Sequence, residues 1–133
     1  SNEISPCIVI NVKEILYNYR SFPSSASKEV NPTKYLRNAM AAMDAIYQSM
    51  SQMEEYHSVQ SAVEYVIFQL ASYCTNVCLA NENKNHNFNA RENLKVIEKK
   101  LHEYVRGSYK ENKYIKAKIP RVDLDVMKET YGL

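Results

Sequence analysis

Apolar residues recur every three or four positions between residues 59 and 80, which is the period of an α-helix. Together these positions make an apolar arc that is too wide for a helix packed on one side only. The pattern therefore predicts that residues 59–80 form the central helix of a bundle, with other helices around most of its circumference. One stripe consists of Val59, Val63, Val66, Leu70, Tyr73 and Val77, and the stripe beside it of Ala62, Ile67, Cys74 and Cys78.

Two helices are predicted before this central one. Ser5–Pro6 and Asn31–Pro32 each place a capping side chain directly before a proline, which is a common way for a helix to begin. Apolar residues at helical spacing follow both of these pairs. We therefore expect helices at about residues 6–20 and 32–55.

Two further segments follow the polar, Asn-rich stretch after residue 80. Asn89 with Glu92 resembles a capping box, so a helix is expected at about residues 90–113. Pro120 then breaks any helix. Residues 122–131 form either a short final helix or a tail that stays extended until a partner orders it.

The fold class that follows is all-α. We expect an antiparallel bundle of four main helices with a short C-terminal helix or tail, built as one domain over residues 1–133. The residues expected in its core are Leu36, Met43, Val63, Val66, Leu70, Val77, Leu94, Ile97 and Leu101.

The second helix carries an apolar face that is rich in methionine, at Met40, Met43, Met50 and Met53. We interpret this face as core packing, because methionine fills irregular gaps. The alternative is a groove for varied apolar partners, since the same side chain repacks easily.

Cysteine usage and hydropathy indicate a cytoplasmic protein. Cys74 and Cys78 share one helix face, and a third cysteine, Cys7, leaves an odd count. Residues four apart on a helix rarely form a disulfide, so free thiols in a reducing compartment are expected. There is no run of 18 apolar residues and no signal-peptide pattern, which excludes a predicted membrane span.

Positive charge is concentrated in one part of the chain. The formal net charge is +2, but residues 91–121 carry 10 basic and 4 acidic residues, while the segments on either side are net acidic. Tyr104, Tyr109 and Tyr114 are interleaved among these basic residues. Lysines and aromatic rings together can follow a phosphate backbone and stack bases, although a five-residue spacing does not place three rings on one helix face. A solvated helix, an acidic protein partner and the chain's own acidic tail are the alternatives.

No catalytic or cofactor-binding pattern is present. Cys74 and Cys78 supply two thiols, but a closed zinc site needs four ligands, and no second pair is found. Glycine-rich phosphate-binding loops are absent. We therefore predict no cofactor and no metal. An enzyme remains the third hypothesis, with a site formed on oligomerisation and His57, His86 or His102 as its base.

Two short stretches resemble known families. The sequence YLRN at residues 35–38, followed by Met40 and Tyr47, is similar to the start of the small helical subunit of type III CRISPR effector complexes. The helical order, with LAN at residues 79–81 before the last long helix, resembles flagellin export chaperones. Because the two families point in different directions, neither is adopted as an identity.

The function expected from the sequence is that of a non-catalytic binding module, an accessory subunit or small regulator in a larger assembly. Its partner is another protein or a second copy of this chain, and nucleic acid is a further candidate. The alternative is a chaperone or adaptor that binds an apolar helix of a protein partner. The residues expected to bind nucleic acid or an acidic partner are Lys99, Lys100, Arg106, Lys110, Lys113, Lys116 and Lys118.

Overall fold

The computed structural model describes residues 31–84, 87–105 and 109–133, and the regular structure within them is helical throughout. The prediction of an all-α bundle is thereby confirmed. The helix expected at about residues 6–20 lies outside the described residues. The elements are α1 (Pro32–Ser51), α2 (Tyr56–Asn81), α3 (Ala90–Tyr104), a 3₁₀ helix (Tyr109–Glu111), α4 (Lys113–Lys118) and α5 (Arg121–Tyr131).

The central position of α2 is confirmed. This helix contacts α1, α3, α4 and α5, so its side chains are covered from several directions. Ile67, Ala71, Cys74 and Cys78 on α2 are completely buried. An apolar arc of this width requires neighbours on most sides of the helix, which is what the structure provides.

The core contains the residues that the apolar pattern predicts. Eight of the nine predicted core side chains are buried, and Leu94 is partly buried against them. Met43 and Met50 of α1 are buried, and Met40 and Met53 pack partly buried beside them. The interpretation of the methionine face as core packing is therefore confirmed.

The helix predicted over residues 90–113 is wrong in its second half. α3 ends at Tyr104: the N–H of Val105 donates to the carbonyl of Leu101, and Val105 itself has left the helical conformation, with φ at −104° and ψ at 81°. A new helix starts at Lys113, because the side chain of Asn112 caps it. The helix predicted over residues 32–55 also ends early, at Ser51.

The chain after Pro120 forms the short final helix rather than an extended tail. Ile119 is extended before the proline, as the restriction on residues preceding proline requires. Gly132 ends α5 with φ at +68°, in the left-handed region where glycine carries no Cβ penalty. Among the described residues, no helix has both the length and the apolar character needed to cross a membrane.

Candidate nucleic-acid interface

The basic segment at residues 109–119 is attached to α2 by a hydrogen bond from one polar side chain, and two of its apolar side chains are buried. The Asn112 side-chain oxygen accepts hydrogen bonds from the N–H groups of Tyr114 and Ile115, at 3.0 and 3.1 Å. Its Nδ2 donates to the carbonyl of Ser61 on α2 at 2.9 Å. Ile115 and Ile119 are buried on the same side of the segment. The opposite side, which carries the lysines, is therefore turned outward.

Replacing Asn112 with alanine is expected to lower the free energy of unfolding by about 2 kcal/mol, since a helix cap and a buried hydrogen bond are each worth about 1 kcal/mol. The matched variant is Asn89→Ala, at an exposed cap whose side chain accepts a hydrogen bond from the N–H of Glu92, and about 1 kcal/mol is expected there. Urea unfolding followed by circular dichroism measures both. Equal losses in the two variants would mean that the bond to Ser61 contributes nothing.

Four of the predicted lysines are carried by this segment. Lys110, Lys113, Lys116 and Lys118 are all exposed. Within the part of the chain that the structure describes, Lys113, Lys116 and Lys118 have no carboxylate oxygen within 4.0 Å. Their positive charges are therefore not neutralised by acidic side chains in the described part of the chain.

Of the other three predicted residues, Lys99 and Lys100 lie on α3 and not on this segment. Lys100 Nζ donates to Asp44 Oδ1 of α1 at 2.6 Å, and the Tyr104 hydroxyl donates to the same carboxylate oxygen. Lys100 is thus part of the packing between α1 and α3. Lys99 is exposed on α3, and Arg106 lies outside the described residues.

Among the described residues, the acidic tail of the chain does not neutralise Lys113, Lys116 or Lys118 either. Asp123 on α5 accepts a hydrogen bond from Nδ2 of Asn76 at 3.2 Å. In the ranges described, Asp123, Asp125 and Glu129 form no ion pair with Lys113, Lys116 or Lys118. These three lysines therefore do not form ion pairs with the acidic side chains of the tail.

Two of the three tyrosines interleaved among the basic residues pack against other aromatic rings of the fold. Tyr104 is buried and stacks on Tyr47, with ring centroids 4.4 Å apart and planes 18° apart. Tyr109 stacks on Phe68 of α2 at 5.8 Å. The remaining ring, Tyr114, is half-buried and lies beside the lysines.

Tyr65 of α2 is the neighbour of Tyr114 that the sequence-based analysis missed. The two ring centroids are 6.4 Å apart, with their planes tilted by 39°. Tyr65 is half-buried and lies in a row of the helix that also carries Ser61 and Gln69. An aromatic residue in a polar row of a mostly apolar helix is the signal that was available in the sequence.

Two of the lysines, Lys113 and Lys118, lie beside these rings. Lys118 Nζ lies 5.8 Å from the Tyr65 centroid and 6.0 Å from the Tyr114 centroid. Lys113 Nζ lies 5.7 Å from the Tyr114 centroid. These are cation–π distances at an exposed site, where the attraction is about 0.5–1 kcal/mol. The lysine–tyrosine surface is defined here as Tyr65, Lys110, Lys113, Tyr114, Lys116 and Lys118.

The cysteines and histidines among the described residues offer no comparable site. Burial raises the pKa of the Cys74 and Cys78 thiols to about 12, and the thiol of Cys78 adds to the effect on Cys74. His57 and His102 are exposed, and His86 lies outside the described residues. The described residues contain no group of three or more His, Cys, Asp or Glu side chains placed to hold a metal ion.

A groove between α3, α5 and the end of α2 has a volume of about 180 Å³. Arg91, Lys95, Glu82 and Glu98 contribute two charges of each sign to its walls. Small-molecule sites are typically about 300–1,000 Å³ and mostly apolar. The groove is therefore small, and its charges favour no single ligand class.

Comparison of the chain with known protein families, with curated proteins and with solved structures finds no match. The two family resemblances seen in the sequence gain no support from it. The lysine–tyrosine surface is thus the feature from which a function is argued.

Proposed function

We propose that this protein is a non-catalytic binding module that contacts nucleic acid through the lysine–tyrosine surface, as an accessory subunit or small regulator of a larger assembly. The observation that carries the proposal is the group of exposed lysines at positions 110, 113, 116 and 118, held outward by a segment fastened to α2. When clustered lysines of this kind bind phosphates, the counterions condensed on the nucleic acid are released, and this release drives binding.

The neighbouring rings favour nucleic acid over an acidic protein as the partner. Lys113 and Lys118 lie within about 6 Å of the Tyr114 ring. An acidic protein partner needs only the positive charges, whereas a nucleic acid uses both charged and aromatic groups. The buried free thiols of Cys74 and Cys78 support the further proposal that the protein works in a reducing compartment.

The test is binding of a labelled oligonucleotide, by fluorescence anisotropy, as salt is raised from 50 to 200 mM. Each phosphate contact on a single strand contributes about 0.7 to the salt slope, so four contacts predict a roughly fiftyfold loss of affinity over this range. The variant Lys110→Ala/Lys113→Ala/Lys116→Ala/Lys118→Ala is expected to bind much more weakly at 50 mM and to lose most of the salt dependence.

The matched control removes the same amount of charge from other elements. Lys34, Lys84, Lys95 and Lys128 are exposed on α1, after α2, on α3 and on α5. Their fourfold alanine variant has the same net charge as the test variant and is expected to keep most of the wild-type affinity. Equal losses in the two variants, or no binding by the wild type at low salt, would refute the proposal.

A further inference from the structure

We infer that the lysine–tyrosine surface takes single-stranded nucleic acid, with bases stacked on Tyr114 and Tyr65 and phosphates on Lys113 and Lys118. This inference rests on the proposed function and specifies its partner. Three tyrosines lie near the lysines in the sequence. In the structure two of them stack on other rings, Tyr114 remains beside the lysines, and Tyr65 of α2 lies next to it.

The two rings are placed to act together. Their centroid separation of 6.4 Å is within the range of interacting aromatic pairs, so they form one aromatic surface contributed by two elements. Both rings are half-buried, which holds each one by packing while leaving part of it outside. A base stacks on such a ring whatever its identity, because every base has a π-face.

A single strand is inferred, rather than a duplex, because the two rings need bases whose faces are accessible. In a duplex the faces of the bases are stacked on one another, and a ring on the protein surface cannot reach them. In a single strand the bases can turn outward and stack on aromatic side chains. Phosphate binding by lysines alone does not distinguish the two forms, so the rings carry the preference.

The lysines already lie beside the rings in the free protein. Lys118 Nζ is within 6.0 Å of both ring centroids, and Lys113 Nζ is 5.7 Å from one of them. An arriving nucleotide therefore meets a positive charge and a ring face next to each other.

The decisive probe is a pair of oligomers of equal length, about sixteen nucleotides, which is the upper end of a typical single-stranded site. One is oligothymidylate, and the other has the same sugar–phosphate backbone without bases. Wild-type protein is expected to bind oligothymidylate about 5- to 150-fold more tightly, which corresponds to the roughly 1–3 kcal/mol of stacking one base on an aromatic side chain. A duplex of the same length is expected to compete more weakly than oligothymidylate.

Two double variants locate the preference. Tyr65→Leu/Tyr114→Leu is expected to bind both oligomers with the affinity that the wild type shows for the abasic one. Tyr65→Phe/Tyr114→Phe keeps the rings and is expected to keep the preference. Tyr56→Leu, at a half-buried ring packed edge-on against Tyr47, is the matched control and leaves the preference unchanged.

The outcomes separate this inference from the proposed function. If the abasic oligomer or the duplex binds the wild type as tightly as oligothymidylate, and the lysine variant still weakens binding, the stacking inference fails and the proposed function stands. If no oligomer binds at low salt, both fail. The comparison of oligomers uses the wild-type protein, so it does not depend on the folding of any variant.

Discussion

The variant Leu70→Asp is expected to lose its cooperative unfolding transition. Leu70 is 2% exposed on α2, the helix that contacts every other α-helix in the described residues. An unpaired carboxylate at this position must be desolvated, which costs several kcal/mol, and the packing of the leucine is lost as well. A domain of this size is stable by about 5–15 kcal/mol in total. Circular dichroism during thermal unfolding is therefore expected to show no native transition.

Leu79→Asp on the same helix is the matched control. Leu79 is 39% exposed, so its carboxylate can remain hydrated. A change within about 1 kcal/mol is expected, as for most surface substitutions. If Leu70→Asp melted like the wild type, the assignment of α2 as the central helix would be wrong.

The course of α2 is predictable from the sequence, whereas the end of α3 is not. The apolar arc of α2 is a local pattern that only a surrounded helix explains. Around residues 105–112 the composition does not forbid a helix, and the start of the next helix at Lys113 depends on Asn112. Its hydrogen bond to Ser61 joins residues 51 positions apart, so no local pattern contains it.

The candidate interface divides in the same way. The positive charge of the segment can be predicted from the sequence, and in the structure it is carried by the exposed lysines at positions 110, 113, 116 and 118. The hydrogen bond of Lys100 to Asp44 cannot be predicted from a local pattern, because the two residues are 56 positions apart. The sorting of the tyrosines also depends on distant partners, since Tyr104 meets Tyr47 and Tyr109 meets Phe68.

Stability is expected to fall steeply above pH 9 because of the two buried thiols. Burial raises the pKa of Cys74 and Cys78 to about 12 in the folded protein, from an ordinary value of 9.0. Between these values the unfolded chain releases the thiol protons and the folded chain keeps them. The free energy of unfolding therefore falls as the pH rises from about 9 to 12, by up to about 1.4 kcal/mol per pH unit for each thiol. Urea unfolding at pH 7, 8, 9 and 10 measures the slope.

The variant Cys74→Ala/Cys78→Ala separates the thiols from the tyrosines. Burial also raises the pKa of the Tyr35 and Tyr131 hydroxyls, but these groups ordinarily titrate at 10.0, so their contribution begins higher. The variant is expected to be less stable than the wild type at pH 7, because two small cavities replace the sulfur atoms. Between pH 9 and 10 its free energy of unfolding is expected to fall much less than that of the wild type. Parallel slopes in this interval would show that the thiols are not the groups responsible, since both proteins share every other titrating side chain.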